Sequence, residues 1–315
     1  MEFHDTPARG EEAQAEGWSA SHPRVSIVLP VHNGAAYLDQ AIGSIRSQTF
    51  RDFELICVDD GSTDETPLIL ARHARSDSRI RVITNHPNKG LPGALNTGFS
   101  AARGALHGWT SDDNIARPHM LERLVAALDA SPDAGIAHAN YSVIDAAGSV
   151  IGFQKVGPTS EILLGNRIGA AFLYREEVTR SLGGYDTDLF GVEDYDFWLR
   201  AARTFRFVTL DEDLYLYRRH EGSLTDQRAL KIHQLVGQIV LRELEQVRDP
   251  EMRARVLLEH GLASRLDPRL GMLLRASALR PWLALAKAPA VARHLMFHLV
   301  RAVQSGIQRL TRRTG

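Results

Sequence analysis

The strongest constraint on the fold is a regular alternation of two kinds of segment between residue 25 and about residue 130. Short apolar runs rich in β-branched residues are each followed by a longer segment with apolar residues at three- and four-residue steps. The short runs span residues 25–31, 53–58, 80–84 and 105–110. Four successive strand and helix pairs require parallel strands joined by right-handed crossovers, with helices on both faces of the sheet. The sequence therefore predicts the α/β class, with a doubly wound, mostly parallel sheet.

This pattern changes after Ser131-Pro132-Asp133. Residues 135–144 and 149–155 have the character of two strands around the turn sequence Asp145-Ala146-Ala147-Gly148, which predicts a hairpin. From about residue 225 onward the pattern is almost wholly helical. We therefore expect a disordered extension over residues 1–23, an α/β domain over 24–224 and a helical, basic region over 225–315.

The composition is that of a globular chain, because 37 Lys and Arg residues balance 38 Asp and Glu residues and 44% of the chain is apolar. The charges are unevenly distributed: residues 1–224 carry 21 basic and 31 acidic side chains, whereas residues 225–315 carry 16 and 7. Cys57 is the only cysteine, which excludes a disulfide framework and a cysteine-based metal site. The first 23 residues do not have the pattern of a secretory signal, and no uncharged apolar run reaches about 18 residues. These features predict a cytoplasmic location.

Polar and acidic residues follow three of the predicted strands directly. They are His32-Asn33-Gly34, Asp59-Asp60-Gly61-Ser62 and Ser111-Asp112-Asp113-Asn114. Open parallel sheets bind ligands outside the carboxyl ends of their strands. The Asp112-Asp113 pair would suit a divalent cation such as Mg²⁺, which takes one or two carboxylates together with phosphate oxygens. The first strand is followed by neither G-x-G-x-x-G nor a P-loop, which argues against dehydrogenases and P-loop enzymes.

Each acidic cluster also has a purely structural interpretation. Ser62-x-x-Glu65 matches a helix capping box, so that Asp60 and its neighbours could simply form the turn into a helix. The Asp112-Asp113 pair could equally lie in a solvated loop. Spacing alone leaves both interpretations open.

Several motifs in order resemble the family 2 glycosyltransferases of the GT-A fold, from about residue 24 to residue 225. They are V-S-I-V-L-P-V-H-N at 25–33, I-x-x-Q-T-F at 45–50, F-E-L-I-C-V-D-D-G-S-T-D at 53–64, N-K-G at 88–90 and L-N-T-G at 95–98. The resemblance implies that Pro30, Val31 and Asn33 line a nucleoside pocket. It further implies that Asp60 accepts a hydrogen bond from the base and that Asp112 lies near the ribose and phosphates.

The resemblance also implies a divalent metal cofactor, Mn²⁺ or Mg²⁺, with Asp113 as the principal ligand. His220 in the segment Y-R-R-H at 217–220 is either a further metal ligand or a structural histidine. Arg218 and Arg219 beside it are either phosphate clamps or surface charges. Many members of the family carry another aspartate where this chain has Thr110, so a strict Asp-x-Asp motif is absent.

The segment E-D-Y-D-F-W-L-R at 193–200, preceded by G-G-Y-D at 183–186, resembles the acceptor-side motif of the same family. There Asp194 is implied as the general base, because an inverting transfer needs one carboxylate to take the proton of the attacking hydroxyl. The alternative makes Glu193 and Asp194 helix N-terminal acids that favour the macrodipole, with Phe197 and Trp198 in the core.

The C-terminal residues 281–315 contain six Lys and Arg residues and no acidic residue. Apolar residues recur there at three- and four-residue steps: Leu295, Met296, Leu299, Val300, Val303, Ile307 and Leu310. Such a helix suits peripheral contact with an anionic membrane, and it would equally suit packing on the catalytic domain or across a dimer interface. Nucleic-acid binding is not expected, because few aromatic residues interleave with the charges.

The expected function is inverting, metal-assisted transfer of a sugar from a nucleoside diphosphate sugar, a UDP-sugar, to a hydroxyl acceptor. The acceptor would be a saccharide or a lipid-linked saccharide in polysaccharide or glycolipid assembly, as the resemblance implies. One alternative is a sugar nucleotidyltransferase, although residues 32–36 lack the basic, Gly-rich loop that a triphosphate would need. The other alternative is a catalytically silent protein that binds nucleotide sugars.

Overall fold

The computed structural model describes residues 22–223, 228–263 and 267–311. The predicted disordered extension over 1–23 lies outside the described residues except for its last two positions. Ile307 and Leu310 of the predicted apolar stripe also lie outside the described side chains.

Nine strands are present in the described part of the chain. In chain order they are β1 (Val25–Val31), β2 (Phe53–Asp59), β3 (Ile80–Thr84), β4 (Leu106–Trp109), β5 (Ile115–Ala116), β6 (Ala134–Ile144), β7 (Val150–Gln154), β8 (Ala171–Arg175) and β9 (Arg206–Arg218). The helices are α1 (Leu38–Arg46), α2 (Thr66–Ser76), α3 (Gly90–Ser100), α4 (Met120–Ala130), α5 (Glu176–Leu182), α6 (Glu193–Ala201), α7 (Ala229–Leu244), α8 (Pro250–Ala263), α9 (Leu270–Leu279), α10 (Pro281–Ala286) and α11 (Ala288–Thr311). Short 3₁₀ turns cover Thr159–Leu164 and Thr187–Leu189.

The strands form one sheet in the order β3-β2-β1-β4-β8-β6-β9-β5, with β7 paired to β6. The half made of β3, β2, β1 and β4 is entirely parallel, as the alternating pattern predicts. All seven residues of β1 and of β2 are buried, because helices cover both faces of the sheet. In the other half, β8 runs antiparallel to both β4 and β6, and β6 is parallel to β9.

The predicted hairpin is confirmed as β6 and β7, which pair antiparallel. The turn between them is held by Asp145, whose carboxylate Oδ1 accepts hydrogen bonds from the backbone N–H groups of Ala147 and Ser149, both at 2.9 Å. Gly148 at φ 91° completes this turn in the left-handed region, where glycine carries no steric penalty.

The C-terminal helices pack on the α/β body. Buried residues of α7 and α8, among them Ile239 and Leu257, belong to the same hydrophobic core as Phe197 and Trp198 of α6. By contrast, α10 and most of α11 are exposed. In the ranges 22–223, 228–263 and 267–311, none of the helices combines the length and apolarity needed to span a bilayer.

Candidate active site

The carboxyl ends of β1, β2 and β4 open onto a cavity of about 1040 Å³. Seven of the eight site residues predicted from the sequence line this cavity: Pro30, Val31, Asn33, Asp60, Asp112, Asp113 and His220. The eighth residue, Asp194, lines an adjoining cavity of about 300 Å³. The two cavities share lining residues that include Trp109 and Asp113, so they adjoin, and together they are called the cleft below. The structure therefore brings all the predicted site residues together.

Asp60 is fixed within the cleft by its neighbours. Its side chain is buried, and Oδ1 accepts hydrogen bonds from Asn85 Nδ2 at 2.8 Å and from the backbone N–H of Lys89 at 2.9 Å. Its own backbone N–H donates to the carbonyl of Val31 at 2.8 Å, which ties the end of β2 to the end of β1. Sequence reasoning did not identify Asn85, because the hydrogen bond joins residues on different β–α turns.

The purely structural interpretation holds for the neighbours of Asp60. Asp59 Oδ1 accepts a hydrogen bond from the N–H of Ser62 at 2.9 Å, and Asp64 Oδ1 accepts one from the N–H of Thr66 at 3.0 Å. Both carboxylates therefore shape the turn. The capping box is not formed: α2 begins at Thr66, and the Glu65 side chain makes no cap.

Asn33 also has a structural contact within this loop. It has a positive φ of 54°, and its side-chain Oδ1 accepts a hydrogen bond from the N–H of Thr63 at 2.8 Å. This bond links the loop after β1 to the loop after β2. Asn33 thus lines the cleft while its side-chain oxygen Oδ1 holds the loop in place.

Gly34 is a site residue whose role the sequence does not reveal. A Cβ atom at this position would lie 1.8 Å from Asp112 Oδ2, far inside contact distance. Only glycine therefore lets the loop after β1 pass directly over the Asp112 carboxylate. Burial, and secondarily the charge of Asp113, raises the pKa of Asp112 to about 7.

Asp113 and His220 form a pair in the larger cavity, and Asp113 also lines the smaller one. His220 Nε2 lies 3.1 Å from Asp113 Oδ2, and the His220 ring packs against Tyr37 at 5.2 Å between centroids. The other carboxylate oxygen, Asp113 Oδ1, is buried and has no hydrogen-bond partner among the residues described. A buried carboxylate oxygen without a partner is costly unless a ligand completes it.

This donor set fits a hard divalent ion. Within the described ranges, no group of three or more His, Cys, Asp or Glu residues is placed to hold a metal by itself. Mg²⁺ and similar ions usually take only one or two protein carboxylates and complete their shell with waters and substrate phosphates. Asp113 with His220 provides such a partial set in the wall of the larger cavity.

Arg218 is neither a phosphate clamp nor a surface charge, the two roles expected from the sequence. Its side chain is buried, and Nε donates to the backbone carbonyl of Asp113 at 2.8 Å. The other guanidinium nitrogens donate to Gln40 Oε1 and to the Asp145 and Ala146 carbonyls. Since its donors are engaged inside the protein, Arg218 holds the backbone of Asp113 in position from the interior side. Arg219 is exposed.

Asp194 lies in the first turn of α6 and lines the smaller cavity. Asn166 Nδ2 donates to Asp194 Oδ2 at 2.9 Å, a contact that no motif indicated. Burial raises the pKa of Asp194 above the ordinary range of an aspartate. Glu193 lines the same cavity and accepts from the N–H of Gly191, and burial together with the charge of Asp194 raises its pKa.

The alternative interpretation of the E-D-Y-D-F-W segment, in which Phe197 and Trp198 belong to the core, is correct for these two residues. Phe197 and Trp198 are both fully buried in the core. Asp194 differs from them because it faces a cavity. The helix therefore uses one side for packing and its first turn for the cleft.

Comparison with known proteins identifies the family. Residues 26–182 match the model of Glycosyl transferase family 2. The chain is 31% identical to the uncharacterized glycosyltransferase EpsJ of Bacillus subtilis, over 65% of this chain and 63% of that protein. It is 32% identical to the O-antigen biosynthesis protein RfbC of Myxococcus xanthus, over 69% of this chain but 17% of that protein. The chain thus spans less than two thirds of the length of either relative.

Solved structures show the same fold. The chain superposes on residues 1–349 of TarS from S. aureus, in complex with UDP-GlcNAc, with a TM-score of 0.65 at 19% identity over 86% of this chain and 79% of that one. It superposes on the mannosyltransferase PcManGT of Pyrobaculum calidifontis, in complex with GDP-Man and Mn²⁺, with a TM-score of 0.61 at 19% identity over 90% and 88%. The architecture is therefore the α/β GT-A fold. With the family match over residues 26–182, the chain belongs to glycosyltransferase family 2.

Proposed function

We propose that this chain is an inverting glycosyltransferase that moves a sugar from a UDP-sugar to a hydroxyl of a saccharide or lipid-linked acceptor. The observation that carries the proposal is the cleft of two adjoining cavities lined by Asp60, Asp113 and Asp194. One end of this cleft has the groups that a nucleoside diphosphate needs. The other end has a separate carboxylate that can serve as a base.

Asp60 would recognise the base of the nucleotide. Both protein hydrogen bonds described above go to its Oδ1 atom, from Asn85 and from Lys89. They orient the carboxylate so that Oδ2 can accept a hydrogen bond from the ring N–H of a uracil. A buried carboxylate with a fixed orientation discriminates between bases because a base without that donor leaves it unpaired.

Asp113 and His220 would hold a divalent ion, Mn²⁺ or Mg²⁺, with Asp112 near the ribose and phosphates. The unpartnered Asp113 Oδ1 and the Mn²⁺ in the PcManGT complex support this assignment. The bound ion would stabilise the negative charge of the departing diphosphate. Arg218 keeps the Asp113 backbone in place from inside the protein.

Asp194 would act as the general base. The acceptor oxygen forms a bond to the anomeric carbon while the bond from that carbon to the diphosphate oxygen breaks on the opposite face. The hydroxyl proton passes to Asp194, which Asn166 orients. A carboxylate with a raised pKa is a stronger base than an exposed aspartate, and inversion follows from attack on one face only.

The relatives suggest the biological setting of the reaction. RfbC is described as an O-antigen biosynthesis protein, and TarS was solved with UDP-GlcNAc. We therefore place the proposed transfer in the assembly of a polysaccharide or glycolipid. A nucleotidyltransferase is disfavoured, because residues 32–36 contain neither Lys nor Arg to hold a triphosphate.

The decisive variant is Asp194→Asn. We expect turnover of a UDP-sugar to fall at least ~10²-fold, which is the usual contribution of a positioned base, while calorimetric affinity for UDP stays the same. Asp188→Asn is the matched control, since Asp188 is an exposed aspartate near α6 that does not line the cleft. Equal activity in the Asp194 and Asp188 variants would remove Asp194 from the mechanism. UDP-sugar binding without turnover in the unaltered chain, across a panel of acceptors, would favour the silent binding protein.

A further inference from the structure

The C-terminal helix α11 turns its most apolar side away from the protein. Met296, Leu299 and Val303 recur at three- and four-residue steps and are 60%, 60% and 54% exposed. The side that contacts the body instead contains His294, which is buried and places Nε2 3.2 Å from the carbonyl of Pro268. Val291 also packs against the core from α11. An ordinary surface helix buries its apolar stripe, whereas α11 leaves Met296, Leu299 and Val303 exposed.

The exposed apolar surface continues onto the preceding helix. In α10, Trp282 is 57% exposed and Leu285 is 73% exposed. An apolar groove of about 460 Å³ lies between α10, α11 and the helices beneath them, and Leu285 and Leu295 line it. Exposed apolar residues clustered around one groove in this way indicate an interaction site.

The charge of this region indicates which partner covers the surface. From residue 268 to residue 315 the chain has no Asp or Glu. The Lys and Arg residues in the same stretch are Arg269, Arg275, Arg280, Lys287, Arg293, Arg301, Arg309, Arg312 and Arg313. Two of them are already engaged in the protein, since the Arg269 side chain is buried beside Asp267 and Lys287 pairs with Glu259. A second copy of this chain would bring these like charges together, whereas an anionic lipid surface is complementary to them.

We propose that α10 and α11 lie flat on an anionic phospholipid surface, with Trp282, Met296 and Leu299 inserted among the acyl chains and Arg293 near the headgroups. Tryptophan is enriched at this boundary because its ring is apolar and its N–H is polar. The inference concerns a surface apart from the cleft, and it holds whatever the donor or the acceptor.

The test is co-sedimentation of the full chain with vesicles of phosphatidylcholine alone and of equal parts phosphatidylcholine and phosphatidylglycerol. We expect binding to the anionic vesicles, weakened by added salt, and little binding to the neutral ones. Leu299→Glu should weaken binding at least tenfold. Arg293→Gln should weaken it about fivefold, the contribution of one cation near such a surface.

Leu68→Glu is the matched control, because Leu68 is 72% exposed on α2, away from this surface, and receives the same substitution. It should bind vesicles as the unaltered chain does, and circular dichroism should show all variants folded. Failure of the unaltered chain to bind anionic vesicles would overturn the proposal, as would equal binding by the Leu299 and Leu68 variants. A dimer that dissociates on Leu299→Glu, without any vesicle binding, would assign the surface to a second copy instead.

Discussion

At the scale of single residues, two adjacent aspartates have different surroundings. Asp113 faces His220 and has one buried oxygen without a described partner, whereas Asp112 lies against the backbone of Gly34. The loop after β1 approaches the Asp112 carboxylate and leaves the Asp113 carboxylate facing His220.

Gly34→Ala tests this close approach. The new methyl group would overlap Asp112 Oδ2, so the loop or the carboxylate must move, at a cost of about 1–3 kcal/mol for overpacking. We expect weaker UDP binding by calorimetry, together with a lower melting temperature. Gly43→Ala on α1 is the control, because nothing lies within 4 Å of its added Cβ. Unchanged UDP affinity in the Gly34 variant would show that the position of Asp112 does not matter for binding.

At the scale of elements, the segment leading to α6 is hydrogen-bonded to α3 through the side chain of Asn96. Asn96 Oδ1 accepts from the N–H of Tyr185 at 2.9 Å, and Asn96 Nδ2 donates to the carbonyl of Tyr185 at 2.7 Å. Gly184 at φ 86° lets the chain come this close. Two motifs far apart in the sequence, L-N-T-G and G-G-Y-D, are therefore two halves of one contact that positions the helix bearing Asp194.

Removing this attachment should reduce stability. Asn96→Ala leaves the backbone N–H and carbonyl of Tyr185 without their partner, so we expect the free energy of unfolding to fall by about 1–3 kcal/mol in urea titrations. Ser100→Ala, at an exposed position on the same helix, should change it by less than about 0.5 kcal/mol. Equal stability of these two variants would contradict a structural role for Asn96.

At the scale of the whole molecule, buried histidines couple folding to pH. His107 and His138 are both buried, and burial lowers the pKa of each to about 4. His138 must donate through Nδ1 to the Ile168 carbonyl at 3.1 Å, since a carbonyl can only accept, and its neutral Nε2 can accept from the Thr209 hydroxyl at 2.9 Å. The folded protein therefore favours the neutral imidazole.

Acid should accordingly destabilise the fold between about pH 6.5 and pH 4. A histidine in the unfolded chain takes up a proton near pH 6.5, whereas the same histidine in the folded protein does so only near pH 4. Its contribution to the free energy of unfolding is therefore complete above pH 6.5 and is lost as the pH falls to about 4. Each group contributes up to about 3 kcal/mol on this basis. His138→Asn should flatten the fall in unfolding free energy over this range, measured by urea titration at several pH values. Ser100→Ala, at an exposed site without a titrating group, should leave the slope as it is.

Some features of the fold and of the cleft could be predicted from the sequence, and others could not. The parallel half of the sheet could be predicted because β1 and β2 are buried on both faces and so have unbroken apolar runs. The insertion of β8 between β4 and β6 could not be predicted, because pairing between distant strands depends on the packing of the complete chain. The motifs identified residues that line the cleft, but not the hydrogen bonds that Asn85 and Asn166 make to Asp60 and Asp194, nor the close approach of Gly34 to Asp112.

What the sequence determined by itself is local: the period of each segment, the turn residues and the order of the motifs in the chain. Only the tertiary structure decided which donors each carboxylate meets, that Arg218 lies inside the protein, and that the apolar side of α11 faces outward. The physical reason is that hydrophobic period depends on neighbours a few residues apart, whereas hydrogen-bond partners and buried faces depend on groups that only the folded chain brings together.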